Sequence, residues 1–431
     1  MSPNLRCLLL FILHFSLFTP LTAQTVLIDS LTSGGFELGN TAFANGWTAV
    51  NGITNKWYVG APGKEFGNNG AYISGDFGVH NWYHVDTAVT SHLYQDITFP
   101  ATGNFLLQFD IRTNGIVSGD YFKVFLVPAT TTITADVLPS SGQIGAGSYY
   151  YLANWTTIRI PLGSQYNGTS QRLVLTWVND NNSGYQPATS IDKLSVISFP
   201  PLSGMKTIDK TMPTMGDNYK SFNDAITFLN FQGIAAGGVT FNVTAGQTFT
   251  EEVIPITATG TAANTIMFQK SGSGANPVIS AVGNSSTIDA GISIKGGDYI
   301  TFDGINILEP TGYYLEYGYY LIPASTTDGA QYNTIKNCKI SLNRMASNSN
   351  GIYQLTSAAA ISAPGTNSYN KYLNLSIENC GTGISLTGIT STFLDEGCEI
   401  SNCTIGGTIS GDIVKRGITC VYQKSLLLFR G

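Results

Sequence analysis

The chain has 431 residues and a net charge of −6, with only 11% of its residues charged, against roughly 25% in an average soluble domain. Its 21 basic side chains are scattered singly. Without a basic stripe, nucleic acid and anionic membrane surfaces are excluded as expected partners. The length exceeds what one ordinary core organises, so two domains are expected. The abundance of Gly, Ser, Thr, Asn and aromatic residues suits exposed β structure with many turns.

The first residues read as a secretory signal spanning 1–23. Arg6 supplies the positive start, Leu8 to Phe18 the apolar stretch, and Leu21-Thr22-Ala23 a small-residue cleavage site. That run is too short to span a bilayer and nothing later is longer, so the expectation is a protein secreted or held at the cell surface, without membrane insertion. Loss of Cys7 with the signal leaves Cys338, Cys380, Cys398, Cys403 and Cys420. A disulfide scaffold would stud a small domain with paired cysteines. Here Cys338, Cys380 and Cys403 are read instead as small apolar side chains at equivalent inward positions, and no CxxC pair suggests zinc.

Residues 24–198 contain short alternating runs separated by Gly, Asn and Pro. Examples are Asn104 to Ile111, Tyr121 to Val127, Trp155 to Ile160, Gln171 to Val178 and Ser190 to Ile197. Regular strands of this kind predict a two-sheet β-sandwich. Gly35-Phe36-Glu37, Gly46-Trp47, Asn69-Gly70-Ala71-Tyr72-Ile73 and Ser190-Ile191-Asp192-Lys193-Leu194 resemble the jelly-roll modules of secreted bacterial proteins. These include cleaved-adhesin domains, MAM-like domains and some carbohydrate-binding modules. The resemblance covers about 170 residues and specifies fold better than ligand. It implies that the first and last strands lie side by side, so that Glu37 and Asp192, with Asn69 or Asp76, converge on a structural Ca²⁺ held by hard oxygen ligands. The alternative is a solvated turn carboxylate. Trp82, Tyr83 and Trp57 are candidates for stacking on sugar rings, and Trp47 for the core. His80 and His84 with Asp76 and Asp86 read as a polar loop, since loop spacing is weak evidence for zinc.

Residues 199–210, with Pro200 and Pro201, read as an extended linker. From Ser221 to Phe231 runs the best helix candidate, with Ser221 and Asp224 as capping box, Phe222, Ala225, Ile226 and Leu229 as one apolar face, and Gly233 as the stop. Beyond it, Val239 to Val243, Thr265 to Gln269, Tyr299 to Asp303, Asn333 to Asn337, Leu373 to Ile377 and Glu399 to Cys403 repeat as short β segments. Stacked self-similarity without helices predicts a parallel β-helix over 211–431, with the helix covering its first coil. Three segments end in Asn-Cys: Asn337-Cys338, Asn379-Cys380 and Asn402-Cys403. The spacing suggests one coil between Asn379 and Asn402 and two between Asn337 and Asn379, with Gly351 to Ser362 supplying the intervening rung. Such Asn residues read as a hydrogen-bonded structural ladder rather than a ligand groove.

Tyr219 to Ile226, Gly238 to Gly246 and Asp298 to Gly304 are similar to the opening of pectate-lyase-like right-handed β-helices, in the version common in large secreted proteins of the Bacteroidetes. Those usually end in a sorting domain for type IX secretion. This chain stops at Leu426 to Gly431, which suggests truncation.

No GxSxG, HExxH or P-loop occurs. Asp298 with Asp303, Glu251 with Glu252, and Asp412 with Lys415 and Arg416 form no recognisable catalytic set. The tract Gly312 to Leu321 reads as a tyrosine-rich lateral insertion that walls a groove or covers an apolar side. The expected fold is therefore all-β, a jelly-roll sandwich followed by a right-handed parallel β-helix with a short N-terminal capping helix. The expected function is a non-catalytic, monomeric, adhesin-like protein that binds extracellular polysaccharide or glycan. The alternative is a polysaccharide lyase or glycoside hydrolase with the sandwich as targeting module.

Overall fold

The structure is a computed structural model that describes residues 25–116, 119–281, 283, 289–310, 315–346, 348–389, 392–407, 413 and 415–429. The signal expected at residues 1–23, together with Tyr313, Tyr314 and Asp412, lies outside the described residues. The chain divides into two compact units, residues 23–200 and 201–431.

Alternating apolar residues make the first unit a sandwich of antiparallel strands. In chain order these are β1 (Thr25–Ile28), β2 (Thr48–Val50), β3 (Lys56–Gly60), β4 (Gly70–Ser74), β5 (Val89–Thr98), β6 (Asn104–Thr113), β7 (Tyr121–Pro128), β8 (Gln143–Tyr149), β9 (Leu152–Leu162), β10 (Ser170–Asn179) and β11 (Ser190–Phe199). Sheet one has the order β3-β4-β11-β6-β9, with β1 also on β11; sheet two has the order β2-β5-β10-β7-β8. The first and last strands are neighbours, with Thr25 opposite Ser198, as the jelly-roll resemblance implies. Period-2 alternation turns Phe105, Leu107, Phe109 and Ile111 of β6 inward against Phe122, Val124, Leu173 and Leu175 of the facing sheet. Trp47 and Trp177 fill the same core.

The stretch 199–210 is not a linker. Phe199 still belongs to β11, and β12 (Leu202–Ile208) already pairs in parallel with the first long solenoid strand, Gly204 opposite Val239 and Ile208 opposite Val243. The two prolines remove amide donors only at their own positions, so a strand can begin directly after them. Helix α1 (Phe222–Gln232) follows, with the Ser221 hydroxyl accepting the Asp224 amide at 3.0 Å. The reciprocal half of the capping box is absent, because the Asp224 carboxylate takes the Thr214 hydroxyl instead. Glu251 replaces it by accepting the amides of Phe222 and Asn223 at 2.9 and 3.0 Å, where carboxylates suit a helix N-terminus.

The second unit is a parallel β-helix with three faces. The first face runs through seven successive rungs, from Ile234–Thr244 to Leu427–Phe429. The second runs from Thr248–Thr250 to Thr404–Ile405 and the third from Ala290–Lys295 to Arg416–Val421. Coil lengths vary from 27 residues, between Val239 and Ile266, to 37, between Thr334 and Lys371. Inside, Phe241, Phe268 and Phe302 stack with centroids 4.6 and 4.8 Å apart and ring planes within 11°. Ile335, Tyr372 and Ile400 continue that row.

Two expectations for the repeats are corrected. Asn337 lines up with Asn374 and Asn402, one coil apart each time, because Lys336 pairs with Leu373 and Leu373 with Ser401. Asn379 and Cys380 sit instead after the second face (Ser376–Glu378), and Asn350–Leu355 is the third face of a coil already counted. The inward row that follows the asparagines is therefore Ile305, Cys338, Leu375 and Cys403. The tyrosine tract is likewise no lateral insertion: Tyr317–Ile322 is a rung of the third face, with Tyr319 fully buried.

Candidate functional site

Between β3 and β4 a turn at Ala61–Gly63 leads into a polar loop, and two carboxylates hold it. Asp192 Oδ2 accepts the amides of Glu65 and Phe66 at 2.8 and 2.9 Å, and its Oδ1 accepts that of Lys193 at 2.7 Å. Glu37 Oε1 accepts the amides of Asn68 and Asn69 at 2.8 and 3.0 Å, while Oε2 takes Asn68 Nδ2 at 3.1 Å. Gly67 takes φ 67° without strain, and a Cβ there would push the Glu37 carboxylate, 2.3 Å away, off the loop amides. The fold thus brings Glu37, Asp192 and Asn69 to one loop, with Asn69 contributing its backbone amide. Burial raises the pKa of Asp192, opposed by the loop amides.

Each carboxylate accepts three N–H groups, all from the loop for Glu37 and two from it for Asp192, leaving about one of its roughly four acceptor positions. Two ammonium groups stand nearby. Lys64 Nζ donates to Gly67 O at 3.3 Å, and Lys193 Nζ lies 2.8 Å from Glu65 Oε2 and 3.2 Å from Asp110 Oδ2. Among the described residues, no group of three or more His, Cys, Asp or Glu side chains is placed to hold a metal ion. Asp76 belongs to a different constellation, with Ser74 Oγ at 2.6 Å and His80 Nδ1 at 2.7 Å.

The three candidate aromatics part company. Trp57 is 4% exposed, its Nε1 donating to Ser91 O at 3.1 Å and its ring meeting Phe122 edge-on. Alternation along β3 sends it inward with Val59. Tyr83 is fully buried against Trp177, and its hydroxyl donates to Asp120 Oδ2 at 2.7 Å. Both are core residues, not ligand-facing ones. Trp82, 38% exposed, rests edge-on against the His84 ring with centroids 4.6 Å apart.

The outer faces of the two sheets also differ. Sheet two is roofed by the β7–β8 connection, whose Ile133 and Leu138 pack on Phe125, Val127 and Val174. His92 is buried under that connection beside Thr176 Oγ1, and desolvation lowers its pKa. On sheet one, Tyr58, Tyr72, Ser190 and Arg112 lie in register across β3, β4, β11 and β6. The Arg112 guanidinium sits 5.3 Å from the centre of the Trp155 ring on β9. Its Nε is buried without a hydrogen-bond partner, and its Nη2 reaches only Pro62 O, at 3.5 Å. Desolvation lowers its pKa. Asn81 Nδ2 donates to Ser190 Oγ, so the loop that carries Trp82 borders this row. The sequence signal for Arg112 was its outward position in an otherwise clean alternation.

On the β-helix, two corners repeat the left-handed backbone conformation. One carries Gly304, Asn337, Asn374 and Asn402, with φ between 53° and 71°. The other carries Tyr299, Tyr332, Tyr369, Gly397 and Ser425, with φ between 54° and 66°. The three tyrosine rings stack with centroids 4.6 and 4.7 Å apart and planes within 12°. Beside Tyr332 and Tyr369 lies a groove of ≈560 Å³ walled by Ala363, Pro364 and Phe393. The Tyr369 hydroxyl donates to Glu396 Oε1 at 2.5 Å, and Glu396 Oε2 lies 2.9 Å from Lys424 Nζ. Hydrogen bonding to Tyr369, reinforced by Lys424, lowers the pKa of Glu396. Asp298 precedes Tyr299 at the same corner, and burial pushes its pKa up to about 6. Glu309, at a different corner, is pushed by burial to about 7. Other acids pair with lysines on neighbouring rungs: Asp303 with Lys336, Glu378 with Lys339 and Glu399 with Lys371.

No protein-family model matches the chain, and no characterised protein matches it by sequence. Solved structures similar to it include the carbohydrate-binding module TmCBM61 in complex with β-1,4-galactotriose, with 11% identity, 40% of this chain and 99% of that one covered, and a TM-score of 0.27. The K1 cleaved adhesin domain of Lys-gingipain from Porphyromonas gingivalis matches with 14% identity, covering 40% of this chain and 97% of that one, with a TM-score of 0.25. The catalytic domain of a GH87 α-1,3-glucanase in complex with nigerose covers 89% of this chain and 75% of its own, with 14% identity and a TM-score of 0.22. No helix among the described residues is long and apolar enough to cross a membrane.

Proposed function

We propose that this is an exported, adhesin-like protein whose sandwich binds glycan across the outer face of sheet one. The observation that carries the reading is the Arg112–Trp155 pair on β6 and β9, with part-exposed Tyr58 on the same sheet and exposed Trp82 bordering it, while Tyr72 and Ser190 between them are buried. Glycan recognition needs an apolar ring face beside fixed polar donors. This pair supplies a part-exposed indole held beside a guanidinium. The export reading rests on residues 1–23, and the non-catalytic reading on Asp303, Glu378, Glu396 and Glu399, each paired with a lysine.

The test is affinity electrophoresis of the mature chain in gels containing mixed-linkage β-glucan, galactomannan or polygalacturonate, with release of reducing ends and unsaturated products assayed in parallel. Retardation without product is expected. Arg112→Gln and Trp155→Ala should each weaken it on the order of tenfold, the usual cost of removing a central anchor. Product release would replace the binder with a glycan-cleaving enzyme. The Glu37–Asp192 loop carries a separate proposal, a structural calcium ion that uses the remaining acceptor position of each carboxylate together with loop carbonyls. EDTA should then lower the melting temperature, and an unchanged value leaves the two carboxylates as pins for loop amides only.

A further inference from the structure

We infer that the tyrosine corner of the β-helix is a second carbohydrate-binding site, a groove for a neutral polysaccharide chain centred on Tyr332 and Tyr369. The fold does not require tyrosine there. A bulky residue at positive φ is a genuine outlier, disfavoured because Cβ crowds the following carbonyl oxygen. The same corner is made by Gly397 and Ser425 in the next two rungs, and the asparagine corner meets the same demand with residues that tolerate it. Local strain of this kind clusters at ligand sites. Three successive rungs retain it, and the ribbon of ring edges and hydroxyls they build runs beside the groove, with Tyr332 41% exposed.

The groove is built in advance. Gln331 Nε2 donates to Ala363 O and Thr366 O, both at 2.9 Å, tying one wall to the floor. Ser368 Oγ accepts the Glu396 amide at 2.9 Å and shares a hydrogen bond with Thr366 Oγ1. Its ≈560 Å³ falls within the range of about 300–1,000 Å³ typical of ligand sites. Fixed walls spare a ligand the cost of ordering them. The chemistry selects a neutral chain: the carboxylate and the ammonium in the lining, Glu396 and Lys424, already neutralise one another. Neither is left for an anionic or cationic ligand, while the aromatic edges of Tyr332 and Tyr369 remain. This site is independent of the sandwich row, and either can fail alone.

The asparagine corner suggests the test variants. Tyr332→Asn and Tyr369→Asn keep a residue that accepts the backbone conformation but remove the aromatic surface; Tyr332→Phe keeps the ring. In the same gels, with the full mature chain, the Asn variants should lose on the order of tenfold in retardation by neutral β-glucan or galactomannan, in both the wild-type and the Trp155→Ala background. Relief of the left-handed strain should offset most of the lost stacking, so their melting temperature should change little; Tyr332→Phe should bind as wild type does, and polygalacturonate should retard none of them. A lower melting temperature with unchanged retardation would overturn the inference and make the tyrosines a purely structural ladder. Loss through Trp155→Ala alone would leave the sandwich site standing without this one. A wild-type chain retarded by no polysaccharide would remove both.

Discussion

The two left-handed corners of the β-helix pose one backbone problem and answer it differently. At the first, Gly304 and three asparagines fit a conformation their short side chains accept, and Asn374 Nδ2 donates to Asn337 Oδ1 at 3.2 Å while Asn337 Nδ2 donates to Asp303 Oδ1 at 2.6 Å. At the second, tyrosines occupy the same conformation and are held by ring stacking. One corner is solved locally, residue by residue. The other is solved only by neighbours above and below, so its stability is shared among rungs. A residue type that the backbone disfavours points to selection for what its side chain presents.

This contrast predicts unequal costs for the same substitution. At Gly397 a Cβ would come within 2.5 Å of the Tyr369 ring, which is itself confined by Tyr332. Gly397→Ala should therefore combine backbone strain with displacement of the stack and cost about 2–3 kcal/mol in the β-helix unfolding transition. At Gly304 the nearest atoms to a Cβ lie at 3.3 Å, so Gly304→Ala should cost only the left-handed penalty of about 1–2 kcal/mol. Denaturant midpoints for the two variants measure the difference. Equal losses would mean that the tyrosine stack yields freely and that the two corners are alike.

Much of the architecture was legible because it rests on periodicity. The sandwich strands, the capping helix with Ser221 and the stacked rungs follow from alternation and turn chemistry, and the structure places them where those patterns predict. Register was not legible. Asn379-Cys380 has the same letters as Asn337-Cys338, yet it follows a different face, because coil lengths vary with the insertions between rungs. Asn374-Leu375, the true equivalent, carries a different second residue. The candidate site was half legible for a related reason. Glu37 and Asp192 hold one loop through its amides, whereas the resemblance implies a calcium ion between them. β3 is too short a run to fix from sequence which face Trp57 takes, and nothing there shows that Tyr83 reaches inward to Asp120. Arg112 and Trp155 come from strands read correctly, but their partnership across β6 and β9 is a register fact. Tyr332 and Tyr369 were invisible as a pair, because nothing in the sequence shows that 37 residues separate them by a single rung.

The corners differ finally in how they hold an acid. Asp303, just before the asparagine corner, is met by Lys336 at 3.1 Å. Asp298, just before the tyrosine corner, accepts the Gln331 amide at 2.7 Å, and burial, with Asp328 nearby and against the hydrogen bonds of Gln331 and Thr259, pushes its pKa from 3.8 to about 6. A folded pKa raised above the unfolded one means that the native state holds its proton after the unfolded chain has released it. Between pH 3.8 and about 6 the native state therefore binds more protons, and Asp298 makes the β-helix lose stability as pH rises through that window. Glu396, lowered by Tyr369 and Lys424, acts in the opposite sense, so the raw pH profile of the wild type mixes signs. The difference profile does not. Asp298→Asn keeps a side-chain oxygen for the Gln331 amide and removes the titration, so the variant should gain on wild type between pH 4 and 7. Discounted for the exposed half of the carboxylate, the gain is about 1 kcal/mol at most. Denaturant midpoints of both proteins at pH 4, 5, 6 and 7 test this. A variant that falls relative to wild type across the range would show that the charged Asp298 is stabilised by its corner, and the tyrosine corner would then resemble the asparagine corner in supporting an ionised acid.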